Sequence, residues 1–285
     1  MLKTEMRNPS TTHIDRMSTA EMVRIIQDEN VNAAMSIEKA LSSIERAIDA
    51  IAERMAKGGR LFYIGCGTSG RLGVLDASEC PPTYGVPYDL VIGIIAGGDG
   101  ALRKAVEGAE DSHEAGYGDI SSYNITELDS IVGISVAGGA QYVLGAFAKA
   151  REVGALTISL SSNEDTPIER AADIGIITDT GAEVITGSTR MKAGSAHKMV
   201  LNMISTAVMV RLGHVYENMM INLRPSNVKL RDRMIRILRE ITELSYDRCE
   251  KLLEENEFCI RLALKSWGEN DNIQEVKKNN CEKNI

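Results

Sequence analysis

Cysteine and histidine are scarce in this chain, and neither is grouped. The five cysteines (Cys66, Cys80, Cys249, Cys259 and Cys281) include no C-x-x-C pair, and the four histidines (His13, His113, His197 and His214) stand far apart. A structural zinc site, a disulfide framework and a histidine metal triad are therefore not expected, and a reducing compartment fits. Long apolar runs are missing as well. None approaches the ~20 residues that span a membrane. The first twenty residues carry Thr11, Thr12, His13, Asp15 and Arg16 where a signal peptide would have its apolar centre, so a cytoplasmic protein is expected. Positive charge is in deficit, with a formal net charge of −8 and a pI of about 5.2. Such a surface argues against nucleic acid and anionic membranes as partners, while leaving room for a local basic pocket.

What is present is ordinary for a globular protein: 44% hydrophobic and 25% charged residues over 285 positions, enough for one large domain with appendages. Ser18-Thr-Ala-Glu21 is a capping-box pattern opening a helix through Met22, Ile25 and Ile26. A second helical pattern joins Ala33, Ile37, Leu41, Ile44, Ile48, Ile51 and Met55, and Gly58-Gly59 stops it. The chain then alternates. Strand-like apolar runs lie at Leu61–Ile64, Leu90–Ile95, Ser130–Val136, Ala155–Leu160 and Ile174–Ile177, with helix-compatible stretches such as Ala101–Ala109 and Gln141–Val153 between them. Near-continuous apolar strands alternating with helices predict a mostly parallel sheet covered on both faces, a three-layer α/β/α sandwich. A long helix is expected from about Thr189 to Leu212. Val215–Leu223 reads as a strand or extended arm, and Pro225 ends it. Helices follow at Ser226–Thr242, Asp247–Glu255 and Phe258–Trp267, with a polar, disordered tail from Glu269. The expected division is an N-terminal helical segment (1–50), a sheet domain (51–214), an arm with a small helical subdomain (215–268) and the tail (269–285).

Three stretches carry candidate chemistry. The first, Arg60-Leu-Phe-Tyr-Ile-Gly-Cys-Gly-Thr-Ser-Gly-Arg71, runs from an apolar strand into glycines and hydroxyls and then into a helix. Glycines let backbone approach a ligand, hydroxyls donate, and the helix start favours negative charge. It formally matches the dinucleotide fingerprint G-x-G-x-x-G, but the expected acid at the end of the second strand is replaced by Ala96-Gly-Gly-Asp99. Gly67, Thr68, Ser69 and Arg71 fit a sugar phosphate better; a tight strand–helix turn without a ligand remains open. Glu79 follows in the same unit, and Pro81-Pro82 predicts that it sits at a helix end or loop. The second stretch, Ala105–Ser112, holds Glu107, Glu110 and Asp111, either a solvated face or a source of one inward carboxylate for acid–base work. In the third, Thr186-Gly-Ser-Thr-Arg-Met-Lys-Ala-Gly194, Ser188 or Thr189 caps the long helix while Lys192 adds charge. Glu183 lies just upstream as lining or surface.

Together with Ile14-Asp-Arg-Met-Ser-Thr19 and Leu75-Asp-Ala-Ser-Glu-Cys-Pro-Pro-Thr-Tyr-Gly85, these motifs resemble the N-acetylmuramic acid 6-phosphate etherase family of the sugar isomerase (SIS) superfamily, from about Ile14 to about Leu264. The resemblance implies an SIS-type fold and a cytoplasmic lyase, homodimeric, with no cofactor and no metal. Such an enzyme cleaves the lactyl ether of the sugar phosphate to N-acetylglucosamine 6-phosphate and D-lactate. It places the proton donor on Glu79 and the second catalytic carboxylate on Glu110, with the site near the subunit interface, and makes the C-terminal helices similar to a small ubiquitin-associated-like fold. One stretch departs from the family pattern. Where a Ser-Gly-Arg-Thr-Pro-like phosphate loop is expected after the third strand, this chain has Ser135-Val-Ala-Gly-Gly-Ala-Gln-Tyr-Val143, so Ala137, Gly139 and Ala140 replace serine, arginine and threonine. Hydrogen bonds to a charged group contribute roughly 1.5–3 kcal/mol each, so losing two weakens phosphate binding by about a hundredfold unless the amides of Gly138 and Gly139 compensate. The alternative function is therefore a sugar-phosphate-binding regulator without turnover.

Overall fold

Five apolar runs pair side by side as parallel strands in the computed structural model, which describes residues 1–223, 225 and 227–270. They are β1 (Leu61–Gly65), β2 (Val91–Ile95), β3 (Ser130–Ile134), β4 (Leu156–Ser161) and β5 (Ile174–Ile177), in the order β2-β1-β3-β4-β5. Every residue of β1, β3 and β4 is buried, which is why these strands read as continuous rather than alternating apolar runs. By internal packing the described chain divides into two compact units. One is Met1–Ser78 with Asp89–Val208; the other is Glu79–Tyr88 with the described residues from Met209 onward.

In the first unit, α1 (Thr19–Met35) starts at the expected capping box, with Ser18 and Glu21 reciprocally bonded. The single second helix expected from Ala33 is broken instead. A turn at Glu38–Ala40 separates α1 from α2 (Leu41–Met55), and Ser36 Oγ donates to the Ala33 carbonyl at 2.7 Å. Helix α3 (Gly67–Tyr84) follows β1, with its residues from Glu79 onward counted in the second unit. The helix expected over Ala101–Ala109 is absent. That segment holds two short 3-10 turns, Asp99–Leu102 and Ala109–Asp111, joined by irregular backbone, with Gly97, Gly98 and Gly108 at positive φ. The crossover helix to β3 is α4 (His113–Ser121), capped by Ser112, whose Oγ accepts from the Ala115 amide at 3.1 Å. Its glycines, Gly116 and Gly118, hide it from a propensity reading. Helices α5 (Gln141–Val153) and α6 (Pro167–Ala171) complete the crossovers, and α7 (Lys192–Arg211) follows β5. The core joins Phe62, Ile64, Ile131, Tyr142, Val143 and Phe147. Asp129, just before β3, accepts from Arg60 at three donors (2.8–3.1 Å) and from the Thr126 amide, tying the starts of β1 and β3 together.

In the second unit, the expected arm is a two-residue hairpin, β6 (Val215–Tyr216) with β7 (Met219–Met220). Three helices follow: α8 (Val228–Thr242), capped by Asn227, then α9 (Tyr246–Glu255) and α10 (Ile260–Asn270). They share a core of Met234, Ile235, Leu238, Leu252, Leu253 and Ile260. The expected disordered tail lies, from 271 onward, outside the described residues.

Helices α4 and α5 touch through glycine. A Cβ on Gly145 would lie 1.9 Å from the His113 carbonyl oxygen, and one on Gly116 would lie 1.8 Å from that of Tyr142. Neither backbone can yield without separating the pair. Gly145→Ala is expected to lower stability by about 1–3 kcal/mol, read as a lower midpoint in urea unfolding.

Candidate functional site

The sheet order 2-1-3-4-5 reverses direction between β1 and β3, and in open parallel sheets ligands settle outside the carboxyl ends of the strands at such a switch point. A cavity of about 230 Å³ lies there, lined by Cys66, Gly67, Thr68, Ser69, Glu110, Ser135, Ala137, Ala140 and Thr189 among others. A second cavity of about 160 Å³ shares Cys66, Gly67 and Glu110 and adds Arg71, Ala101, Val106 and Glu107.

Two helix starts face the first cavity. The opening amides of α3 have no intrahelical acceptor, and Gly67, Thr68 and Ser69 are its first residues. Helix α5 begins after Ala140, which offers no side-chain cap. Between β3 and α5, Gly138 is locked. Its φ is +75°, its amide donates to Ser135 Oγ at 3.1 Å, and a Cβ there would fall 2.3 Å from Thr166. A Cβ on Gly139 meets nothing within 4 Å. Gly138 thus shapes the loop; neither it nor Gly139 lines the cavity, and Ala137 and Ala140 line it without offering a side-chain donor.

The three acids of the 107–111 stretch separate. Glu110 lines both cavities, Glu107 lines one, and Asp111 lines neither. Cys66, at the centre of the site, went unnoticed in the sequence; the same holds for Ser135, whose signal was its place at the end of β3. Burial, followed by the charges of Glu110 and Asp111, pushes the Cys66 thiol up to about 12, so it stays protonated and is not a nucleophile at neutral pH.

Several expected contacts are committed elsewhere. Helix α7 begins at Lys192, and neither Ser188 nor Thr189 caps it. Its cap is the fully buried Glu183, whose carboxylate accepts from the Lys192 and Ala193 amides, both at 3.0 Å. A full charge at a helix start outcompetes a hydroxyl. Lys192 is buried, bonded to the Ala182 carbonyl at 2.9 Å and ion-paired with Glu29 of α1. Burial alone would raise the Glu29 carboxyl, but hydrogen bonds from Lys192 and Asn8 and the charge of Lys192 hold it below its usual value. That pair borders a larger cavity, about 490 Å³, with Asn8, Asp179 and Thr180. Of the α7 stretch, only Thr189 reaches the switch-point cavity; Ser188 does not line it. Arg71 donates to the carbonyls of Leu102 and Ala101 at 3.0 and 2.7 Å.

Glu79 does not end its helix. Helix α3 runs on through Pro81 and Pro82 to Tyr84. Pro81 and Pro82 give up two amide donors near the end of the helix, and the Gly85 amide still reaches the Pro81 carbonyl at 2.9 Å. Glu79 is exposed and belongs to the second unit, and neither switch-point cavity includes it in its lining.

Relatives place this architecture. The chain is 53% identical over 263 residues, 92% of its length and 86% of the relative's, to the N-acetylmuramic acid 6-phosphate etherase of Caldanaerobacter subterraneus subsp. tengcongensis. It is 51% identical, with the same coverage, to the etherase so named in Clostridium beijerinckii. The chain belongs to the N-acetylmuramic acid 6-phosphate etherase family. Residues 110–210 of this etherase-family chain also match the SIS domain, and residues 43–151 match the N-terminal SIS domain of glucokinase regulatory protein. The fold is shared with a phosphoheptose isomerase from Francisella tularensis at a TM-score of 0.54 and 16% identity, over 67% of this chain and 98% of that one.

Below the site, α7 carries His197, fully buried and 3.1 Å from Ser162 Oγ. Burial pushes its imidazole down to about 4. The unfolded chain takes up this proton near pH 6.5 and the folded chain near 4, so stability is lost as pH falls across that window, by about 3 kcal/mol at most. His197→Gln is expected to flatten that part of the stability–pH curve, measured by urea unfolding between pH 4 and about 7.

Proposed function

We propose that this chain is a lyase that cleaves the D-lactyl ether of N-acetylmuramic acid 6-phosphate, giving N-acetylglucosamine 6-phosphate and D-lactate. The observation that carries the reading is the meeting of Glu110 with the open first turn of α3 in one cavity at the switch point, in a chain of the etherase family. The phosphate sits against the amides and hydroxyls of Gly67, Thr68 and Ser69, with the Gly139 amide and the hydroxyl of Thr189 as further donors; the Gly138 amide is held by Ser135. Two helix starts supply positive potential without a free cation. Chemistry begins when the sugar ring opens and the aldehyde acidifies the C2 proton. One glutamate removes that proton, the C3–oxygen bond breaks, and the ether oxygen takes a proton as lactate leaves. Water then adds at C3 of the enal. Glu110 is one of the two acid–base groups and Glu79 is the other. Glu79 is exposed, and in this reading the enzyme is a homodimer with the site near the subunit interface. In this reading the protein works in the cytoplasm.

The test is D-lactate release from N-acetylmuramic acid 6-phosphate by purified protein. Glu79→Gln and Glu110→Gln are each expected to lower kcat by about a hundredfold or more. Wild-type protein that releases no more lactate than Glu79→Gln would end this reading. A second reading rests on the bare loop at Ala137–Ala140: a sugar-phosphate-binding regulator, marked by saturable binding without turnover. Placing Ser, Arg and Thr at 137, 139 and 140 restores side-chain donors, and the side chain added at 139 enters open space. The triple variant is expected to lower KM by about tenfold or more.

A further inference from the structure

The loop that carries Glu110 has little to hold it. Between the turns at Asp99–Leu102 and Ala109–Asp111, residues 103–108 form no α-helix or strand, and all six are exposed. At its far end the loop is fixed by the packing of the Ala109–Asp111 turn on α5 and by the Ser112 cap of α4. At its near end the side-chain tie is Arg71, in the second turn of α3. Arg71 Nε donates to the Leu102 carbonyl and Nη2 to the Ala101 carbonyl, at 3.0 and 2.7 Å. Two adjacent donors of one planar fork meet two successive carbonyls, an arrangement that a lysine ammonium does not reproduce. This is also the edge of the guanidinium that would grip a phosphate side-on, and backbone already occupies it.

We infer that Arg71 is a positioning residue, a strut that holds the Glu110 loop over the cavity, and not a ligand of the phosphate. Its functional consequence rests on Glu110 being a catalytic carboxylate; the strut itself rests on the contacts alone. Arg71 stands in the same α3 segment as the glycine turn, so the strut fixes the carboxylate relative to the amides that face the ligand. Arg71 also lines the smaller cavity with Glu107 and Glu110.

Cys66 reports on the strut independently of turnover. Its thiol is suppressed by burial and by the charges of Glu110 and Asp111, and both of those carboxylates ride on the loop. The experiment compares wild type with Arg71→Lys and Arg71→Gln. Alkylation of Cys66 by iodoacetamide is followed by peptide mass spectrometry at pH 8, beside steady-state D-lactate release. Far-UV circular dichroism checks folding, and Arg71→Lys, which keeps one donor, carries the measurement if Arg71→Gln does not fold. The strut predicts Cys66 alkylation faster by about tenfold or more in both variants, as the thiol returns toward its ordinary range near 8.5. It also predicts kcat lower by about tenfold or more with KM changed less than about twofold, and no rescue by lysine. An unchanged Cys66 rate, or a KM raised by about tenfold that lysine restores as a point charge, overturns it. If Glu110→Gln retains full lactate release, the reading of Glu110 fails while the Cys66 rates still decide the strut.

Discussion

Amides at a helix start must find an acceptor, and three of the helix starts that follow the strands of this sheet meet that need in different ways. One is closed by the protein itself: Glu183 places its carboxylate on the first amides of α7. The other two, at α3 and α5, face a cavity. This division decides what the rest of the edge can do. A buried carboxylate spent on α7 releases no potential for a ligand, whereas the open turns keep theirs. An acidic chain can then bind an anion locally, because fixed backbone dipoles rather than mobile lysines set the sign of the field.

Parallel strands, the glycine turn after β1 and the acid-rich stretch before α4 were all legible in the sequence. Each depends on local pattern: continuous apolar runs, glycine with hydroxyl, and clustered carboxylates. What was not legible depends on partners distant in sequence. Lys192 looked like a free cation because nothing near it in sequence reveals Glu29 on α1. Glu183 looked like lining because its two acceptors are used only once α7 is placed beside it. Arg71 looked like a phosphate ligand because its bonding partners are carbonyls, which carry no side-chain signature. Pro81-Pro82 predicts a helix end at Glu79, yet α3 continues through both prolines to Tyr84. Helix α4 is hidden because Gly116 and Gly118 lower its propensity, and Gly116 is the one that lets it touch α5.

Regular structure and chemistry are unevenly distributed around the site. The strands and α3 form a closely packed frame, with Tyr63 and Phe62 fully buried beneath the glycine turn. Glu110 instead rides on short turns and irregular backbone. The acid is therefore the part of the site with the lowest local stability, and its geometry is set by a few discrete ties rather than by a ladder of hydrogen bonds.

The loop after β3 has a consequence for how this protein can change over time. Gly138 alone carries the conformational burden, since its φ and its approach to Thr166 admit no other residue easily. Ala137 and Gly139 are exposed, and Gly139 borders open space. Folding and ligand grip are thus assigned to different residues of the same short loop. Substitutions that tune the grip can accumulate one at a time, in any order, without passing through a chain that fails to fold.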